Sequence, residues 1–262
     1  MFPASTAFDD HAAFGALAVS VDFGQTMAEL DPVMLALRVG ERGAAITPEQ
    51  VRDALPGAWR TYDEAIAAGL GGHPWKLLMR GLLEGAVQGA ARDALVDWLW
   101  AEQPRKNLWR RPVPGMIELV RDLGRAGVPV AVLSNSEGRL AELVDELGWG
   151  PHFVAIADSG RLDMEKPDRR IFEWTAERLG VPIDRVVHVG DSWQADVLGA
   201  LGAGMRAVWF SSVEAGGEVA ARLESDRERL VRCRDAADLA DALEAWGLPV
   251  RPTLRIEVPA VV

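Results

Sequence analysis

The hydrophobic pattern of the chain begins with one short apolar run and then changes to a helical period. Residues 17–21 are apolar apart from one serine and are followed by turn residues, which favours a buried parallel strand. From about residue 29 to residue 110, apolar residues recur every three or four positions. Within this stretch Thr47 and Gln50 flank a proline in a capping box, which indicates a helix start. We therefore predict one strand followed by an all-helical block.

Beyond residue 110 short apolar runs alternate with helical stretches. The predicted strands are 128–133, 153–157, 185–189 and 205–210. The predicted helices are 114–126, 136–147, 170–179, 194–201 and 236–246, with a solvated helix or loop at 213–230. This alternation predicts right-handed crossovers and a parallel sheet. A last alternating segment, 254–258, is predicted to be an edge strand that packs on its own domain or on a second subunit of a homo-oligomer.

Net charge and cysteine content narrow the function classes. The chain carries a net charge of −11, whereas phosphate backbones demand clustered lysine and arginine, so a nucleic-acid-binding role is not expected. No apolar run is long enough to span a bilayer, and the N-terminus lacks the basic start of a signal peptide. The single cysteine, Cys233, permits no internal disulfide, which suits a reducing cytoplasm. We expect a cytoplasmic protein that binds neither nucleic acid nor membrane.

Four polar residues stand at the ends of predicted strands or in nearby loops. Asp22, Ser134 and Asp191 each follow a predicted strand, and Lys166 precedes a predicted helix. Open α/β sheets bind ligands just beyond the carboxyl ends of their strands. Each residue alone also has a structural explanation, since Asp and Ser commonly cap turns and helices and lysines are mostly exposed. Their joint occurrence in this order favours a shared site.

Four short motifs around these residues carry a resemblance to a known family. They are DFGQT at 22–26, LSN at 133–135, KP at 166–167, and VGDS at 189–192 followed by Asp196. Together, over about residues 16–247, they resemble the haloacid dehalogenase (HAD) superfamily of hydrolases with a helical cap inserted after the first motif. The resemblance implies an α/β fold: a Rossmann-like doubly wound parallel sheet core with an inserted all-helical cap domain. It implies a core at 1–27 and 110–262 and a cap at 28–109.

The resemblance also implies a Mg²⁺-dependent phosphatase that acts on a small phosphorylated metabolite through an aspartyl-phosphate intermediate. Asp22 is the nucleophile in this interpretation, and covalent attack by a carboxylate splits one hard displacement into two easier ones. Lys166 is catalytic as well, because it supplies a positive charge to the phosphoryl oxygens and the nucleophile.

Ligands for the metal ion and the phosphate follow from the same resemblance. Mg²⁺, which prefers oxygen ligands, is expected on Asp22, Asp191 and the main-chain carbonyl of Gly24. Asp196 is expected to orient Lys166 or a metal-bound water. The expected phosphate-binding residues are Ser134, Asn135, Lys166 and Thr26. We expect Ser134 and the Asn135 amide to lie at a helix start, which is a favourable anion site.

The first motif departs from the family's phosphatases, in which it reads Asp-x-Asp-Gly-Thr. Here Gly24 replaces the second Asp, and Gln25 replaces the Gly. That Asp protonates the leaving oxygen and later activates water, and general acid–base help of this kind is typically worth about 10²–10⁴-fold in rate. Three alternatives follow: a water or a cap residue substitutes for the acid, the substrate has a good leaving group, or the protein binds a phosphorylated ligand without turnover as a pseudo-phosphatase.

Two other activities of the superfamily also lack this Asp. Dehalogenases use no metal and typically carry an aromatic residue at the position of Gly24. Phosphonatases form a Schiff base on a cap lysine, for which Lys76 in mid-cap is the candidate, since Lys106 falls at the cap exit. Both activities are less favoured than the phosphatase. His188, inside a predicted strand, is interpreted as a hydrogen-bonded core residue.

Overall fold

The computed structural model describes residues 17–68 and 74–250, apart from the side chains at 63, 66 and 67. The predicted strand at 254–258, and with it the expected subunit contact, lies outside the described residues. Among the residues that are described, no helix has the length and apolar character needed to cross a membrane.

A six-stranded parallel sheet forms the centre of the molecule, with the strand order β5-β4-β1-β6-β7-β8. Its strands are β1 (Ala18–Val21), β4 (Val130–Ser134), β5 (Ala155–Asp158), β6 (Val186–Gly190), β7 (Arg206–Phe210) and β8 (Leu230–Cys233). The strands β1, β4 and β6 are buried along their whole length, as their apolar runs predict. The sheet confirms the predicted α/β class.

Helices cover both faces of this sheet. They are α5 (Met116–Arg125), α6 (Leu140–Glu146), α7 (Ser159–Leu162), α8 (Arg169–Leu179), α9 (Gly199–Ala203), α10 (Gly217–Ser225) and α11 (Ala236–Ala245). Alternate strand residues point to opposite faces, so Val19 and Val21 pack in one hydrophobic cluster with α5 and α11, while Ala18 packs in another with α8 and α9. The core is therefore doubly wound and Rossmann-like, as predicted.

Four helices lie between the first strand and the rest of the sheet. They are α1 (Pro32–Gly40), α2 (Pro48–Ala67), α3 (Trp75–Leu83) and α4 (Gly89–Glu102). The predicted capping box forms at the start of α2, where the Thr47 N–H donates to Gln50 Oε1 at 2.8 Å and the Gln50 N–H donates to Thr47 Oγ1 at 3.2 Å. The domain bounds 28–109 stay a prediction.

A short antiparallel ribbon, not predicted from the sequence, joins this helical segment to the sheet. It consists of β2 (Ala28–Leu30) and β3 (Trp109–Pro112), with Leu30 paired to Trp109. Both strands are too short to show a period, and they meet only because the chain returns to its starting point after the four helices. The β2–β3 ribbon thus spans the predicted boundary between cap and core.

One strand was not predicted, and two predicted helices need correction. The strand β8 begins at Leu230, the last residue of the segment 213–230, in which α10 forms the expected solvated helix. The helix expected at 136–147 begins only at Leu140. The helix expected at 194–201 is a π-helical turn, Trp193–Leu198, followed by α9. At the start of α6 the carboxylate of Asp158, from a distant segment, bonds to the backbone and overrides the local pattern.

Candidate active site

The carboxyl ends of three adjacent strands, β1, β4 and β6, bring the predicted residues to one edge of the sheet. The strand β1 pairs with β4 on one side and β6 on the other, so Asp22, Ser134 and Asp191 follow neighbouring strands. Chain order reverses around β1, and such a switch point opens a crevice at the strand ends. A cavity of about 270 Å³ lies there. Its wall includes seven predicted site residues: Asp22, Gly24, Ser134, Asn135, Lys166, Asp191 and Asp196.

Lys166 stands between two carboxylates at the base of this cavity. Its ammonium group donates to Asp22 Oδ1 at 2.6 Å, to Asp196 Oδ1 at 2.5 Å and to the carbonyl of Leu133 at 3.1 Å. These three bonds use all three protons of an ammonium group. The lysine side chain is 3% exposed, so the charge is desolvated and is compensated only by these partners. Lysine and nucleophile are therefore pre-positioned before any ligand binds.

Burial and charge act in opposite directions on the pKa values of these groups. Burial lowers the pKa of Lys166, but Asp196 and Asp22 outweigh it and hold the lysine pKa above its ordinary value, so Lys166 is charged. Burial raises the pKa of Asp196, but Lys166 and His188 outweigh it and lower this pKa to about 2. Burial raises the pKa of Asp22 above its ordinary value, although Lys166 opposes the shift.

Asp196 is fixed from several directions. His188 Nε2 lies 3.0 Å from Asp196 Oδ1, and the other ring nitrogen lies 2.8 Å from Ser20 Oγ. The Ser192 N–H donates to Asp196 Oδ2 at 2.9 Å. His188 is thus a hydrogen-bonded core residue, as the sequence suggested, but it also orients Asp196. This contact could not be predicted from the sequence, because no local pattern relates a strand histidine to a residue in the following helical turn.

Three carboxylates form a candidate metal centre. Asp22, Asp191 and Asp196 each offer an oxygen, and these oxygens lie within 4.8 Å of one another. An oxygen-only, anionic donor set suits Mg²⁺. Both oxygens of Asp196 already accept hydrogen bonds, so Asp22 and Asp191 fit better as direct ligands. The indole N–H of Trp209 donates to the carbonyl of Asp191 at 3.0 Å and so fixes the backbone that carries this ligand.

The loop after β4 is organised differently from the sequence expectation. Asn135 bonds to the backbone of Lys166 in both directions, at 2.8 and 3.0 Å, and so fixes the segment that carries the lysine. The carboxylate of Asp158, at the end of β5, accepts from the Gly138 N–H and the Leu140 N–H. It thereby delays the start of α6, so Ser134 and Asn135 line the cavity from a strand end and a loop and not from a helix start.

Thr26 is the one predicted site residue that does not line the cavity. It is fully buried, and its hydroxyl has no hydrogen-bond partner. The other predicted phosphate-binding residues, Ser134, Asn135 and Lys166, do line the cavity.

A tryptophan occupies the space beside Gly24. A Cβ atom added at Gly24 would lie 3.4 Å from Trp109 Nε1 and 3.9 Å from Asp22 Oδ2. The indole ring, on the β2–β3 ribbon, therefore lies at van der Waals distance from this position, and a carboxylate at position 24 would stand beside Trp109.

Part of the cavity wall is aromatic. It includes Trp59, Tyr62 and Trp75 from α2 and α3, and Trp109 from the ribbon. Trp59 and Tyr62 meet edge to face, with ring centroids 5.0 Å apart. Neither Lys76 nor Lys106 contributes to this wall, and they pair with Asp97 and Glu41 instead. These aromatic residues could not be predicted as site residues, because helical spacing does not separate a core face from a cavity face.

Comparison with known proteins gives a consistent picture. The model of the haloacid dehalogenase-like hydrolase family matches residues 23–204. A phosphoserine phosphatase of Thermus thermophilus is 32% identical over 162 residues, which are 60% of this chain and 63% of that protein. A phosphoglycolate phosphatase of Agrobacterium fabrum is 36% identical over 109 residues, which are 41% of this chain and 45% of that protein. The chain thus covers less than two thirds of either relative.

Solved structures share the fold at low sequence identity. The HAD-hydrolase YfnB of Bacillus subtilis, solved with bound magnesium, superposes with a TM-score of 0.65 at 17% identity. The superposition covers 87% of this chain and 99% of that one. It therefore extends the likeness in fold well beyond the residues that the family model matches.

Proposed function

The chain belongs to the haloacid dehalogenase-like hydrolases, and from this premise we propose that it is a Mg²⁺-dependent phosphatase acting on a small phosphorylated metabolite. The observation that carries the proposal is the position of Lys166, whose ammonium group bonds both Asp22 and Asp196 at the base of the cavity. A charged lysine beside a buried carboxylate suits a nucleophile that must approach an anionic phosphoryl group.

In the proposed reaction Asp22 attacks phosphorus through Oδ2, because Oδ1 is held by Lys166. The new Asp22 O–P bond forms as the bond from phosphorus to the leaving oxygen breaks, and water then hydrolyses the aspartyl-phosphate. Lys166, Ser134 and Asn135 bind the phosphoryl oxygens in this scheme, and Thr26 is not assigned a role. Mg²⁺ held by Asp22, Asp191 and the Gly24 carbonyl would neutralise charge on the phosphoryl group.

Gly24 limits which substrates such an enzyme turns over quickly. No acid at position 24 is available to protonate the leaving oxygen, so we propose a preference for leaving groups that depart as anions. The same feature motivates the alternative of a phosphate-binding pseudo-phosphatase. We do not propose a dehalogenase, which uses no metal, since Asp191 adds a second carboxylate suited to a metal ion. We do not propose a phosphonatase, since both cap lysines lie outside the cavity.

A phosphate-ester panel tests this proposal. We expect an acyl or aryl phosphate to be hydrolysed with a kcat/KM at least about 10²-fold above that of an alkyl phosphate, the lower bound for a missing general acid. Activity should vanish with EDTA and in Asp22→Asn, which keeps the size of the side chain and removes the nucleophile. Asp93→Asn, on the exposed surface of α4, is the control and should behave as wild type.

Two results would contradict the proposal in different ways. Equal kcat/KM for aryl and alkyl phosphates would refute the preference for acidic leaving groups. Wild-type protein that is inert across the panel with Mg²⁺, but still binds inorganic phosphate, would favour the pseudo-phosphatase.

A further inference from the structure

Five aromatic residues line the same cavity as the proposed nucleophile. Trp59, Tyr62, Trp75 and Trp109 line the same cavity as Asp22 and Lys166. Phe23, next to the proposed nucleophile, completes this wall. We refer to these five residues as the aromatic wall. Aromatic rings bind other rings face to face or edge to face, with a gain beyond that of area burial alone.

Two indole groups in the aromatic wall lack hydrogen-bond partners. The Nε1 atoms of Trp59 and Trp75 are buried, and neither has an acceptor within reach. Trp75 is 1% exposed. Atoms with almost no accessible surface do not face the open cavity, so the aromatic wall offers a ligand its ring surfaces and not these two donors.

The charges around the cavity restrict the ligand further. Among the described residues of the wall, Lys166 is the only cationic side chain, and it already donates three hydrogen bonds. The acidic side chains of the wall are those of Asp22, Glu137, Glu165, Asp191 and Asp196. A second anionic group on a substrate would therefore meet carboxylates and no available cation.

We propose that the substrate is a phosphate monoester of a neutral, single-ring phenol, with the ring held by the aromatic wall. This inference rests on the proposed function for the phosphoryl group, which lies at Asp22 and Lys166. A volume of about 270 Å³ is near the lower end of small-molecule sites, roughly 300–1,000 Å³, and so favours one ring over a fused or extended system.

The chemistry agrees with the absence of an acid at Gly24. When the phosphoryl group moves to Asp22, the electron pair of the breaking P–O bond stays on the oxygen that is attached to the aromatic ring. A phenolate accommodates that charge without a proton from the protein, whereas an alkoxide does not. A carboxylate beside the phosphate, as in phosphoserine or phosphoglycolate, is disfavoured by the acidic wall.

Binding of non-hydrolysable phosphonates tests the inference without turnover. We expect phenylphosphonate to bind about tenfold more tightly than methylphosphonate in the presence of Mg²⁺, as ring stacking usually provides. Phosphonoacetate, which adds a carboxylate, should bind more weakly than methylphosphonate. Isothermal titration calorimetry measures all three. Equal affinities for phenylphosphonate and methylphosphonate would overturn the inference.

Variants of the aromatic wall identify where the ring binds. In Trp59→Leu and Tyr62→Leu the ratio of the two affinities should fall towards one, whereas Trp59→Phe should keep most of it. Trp174→Leu, on α8 and outside the cavity, is the matched control. Circular dichroism checks that each variant is folded. A ratio that stays unchanged in both leucine variants would refute the aromatic wall even if the wild type prefers the ring.

Acetyl phosphate separates this inference from the proposed function. It has an acidic leaving group and no ring, so its hydrolysis depends on Asp22, Lys166 and Mg²⁺ alone. Hydrolysis of acetyl phosphate without a ring preference would retain the phosphatase and reject the aromatic substrate. A ring preference in binding without any hydrolysis would reject the phosphatase and retain the aromatic wall only as the binding site of an aromatic phosphate.

Discussion

Lys166 and Glu137 line the same cavity, but burial has different consequences for the charge of the two side chains. The lysine is paired with two carboxylates at 2.5 and 2.6 Å, so burial strengthens its interactions with them. Glu137 lies in the same wall, where burial and the nearby charge of Asp158 raise its pKa to about 7. Residue type alone does not separate these outcomes, because they depend on which groups the fold brings within reach.

The raised pKa of Glu137 predicts a pH-dependent stability. Between about pH 4.5 and pH 7, Glu137 is protonated in the folded state and ionised in the unfolded state. Its stabilising contribution to the free energy of unfolding is therefore fully present below about pH 4.5 and is lost as the pH rises to about 7. The loss is on the order of 3 kcal/mol. Glu137→Gln should therefore reduce the fall in Tm between pH 5 and 7.

The control for this prediction is Glu49→Gln. The carboxyl of Glu49 is exposed, and backbone and side-chain hydrogen bonds lower its pKa. The Glu49→Gln variant should keep the wild-type slope of Tm against pH between pH 5 and 7. An identical slope in wild type and in Glu137→Gln would contradict the assigned pKa.

At the scale of elements, the π-helical turn after β6 decides the position of Asp196. The Asp196 N–H donates to the carbonyl of Ser192, and the Ser192 hydroxyl accepts from the Ala195 N–H. Single π-helical turns are frequent at functional sites. A regular helix was predicted here, because the apolar spacing of 194–201 does not report the hydrogen-bond register.

Gly190, the last residue of β6, gives a test of this arrangement. A Cβ atom there would lie 2.3 Å from Asp196 Cγ, so Gly190→Ala must displace the carboxylate that orients Lys166. We expect a loss of roughly 1–3 kcal/mol in the free energy of unfolding, as for overpacking, together with a loss of activity. Chemical denaturation and acetyl phosphate hydrolysis measure the two effects.

A second glycine provides the matched control. Gly124 lies within α5 with open space around its Cβ position. Gly124→Ala should stabilise the protein by about 0.5–1 kcal/mol, because alanine loses less backbone entropy in a helix. If Gly190→Ala and Gly124→Ala changed the free energy of unfolding equally, the close approach of residue 190 to Asp196 would have no effect on stability.

At the scale of the whole molecule, the site joins segments that are far apart in the chain. Asp22 follows β1 and Asp191 follows β6, while the aromatic wall combines Phe23 beside Asp22 with residues of α2, of α3 and of the ribbon. The helix α2 also contacts the π-helical turn directly. Ligand binding in this cavity therefore links the helical segment to the sheet.

This arrangement predicts that Mg²⁺ stabilises the fold. An ion bound by Asp22 and Asp191 only in the folded state adds about 2.7 kcal/mol at a concentration one hundred times its Kd. Wild-type Tm should rise with Mg²⁺ in a thermal melt, and Asp191→Asn should lose most of the rise, while Asp93→Asn keeps it. The same rise in Asp191→Asn would contradict the assigned ligand.

Much of the fold could be predicted because it is encoded locally. Buried parallel strands need continuous apolar runs, and helices that cover a sheet need a 3.6-residue period, so 17–21, 185–189 and 170–179 predict their elements from their own residues. Polar groups directly after such strands must reach the same edge of a parallel sheet. The convergence of Asp22, Ser134 and Asp191 therefore follows from the sequence.

The tertiary structure alone decided the features that depend on contacts between distant segments. The β2–β3 ribbon, the start of α6 under Asp158, the contact of Trp109 with Gly24 and the aromatic wall each join residues that are far apart in the chain. The periodicity of one segment reports that a face is buried, but not what buries it. Amino-acid sequence thus determined the chemistry at the strand ends, and only chain packing determined what surrounds it.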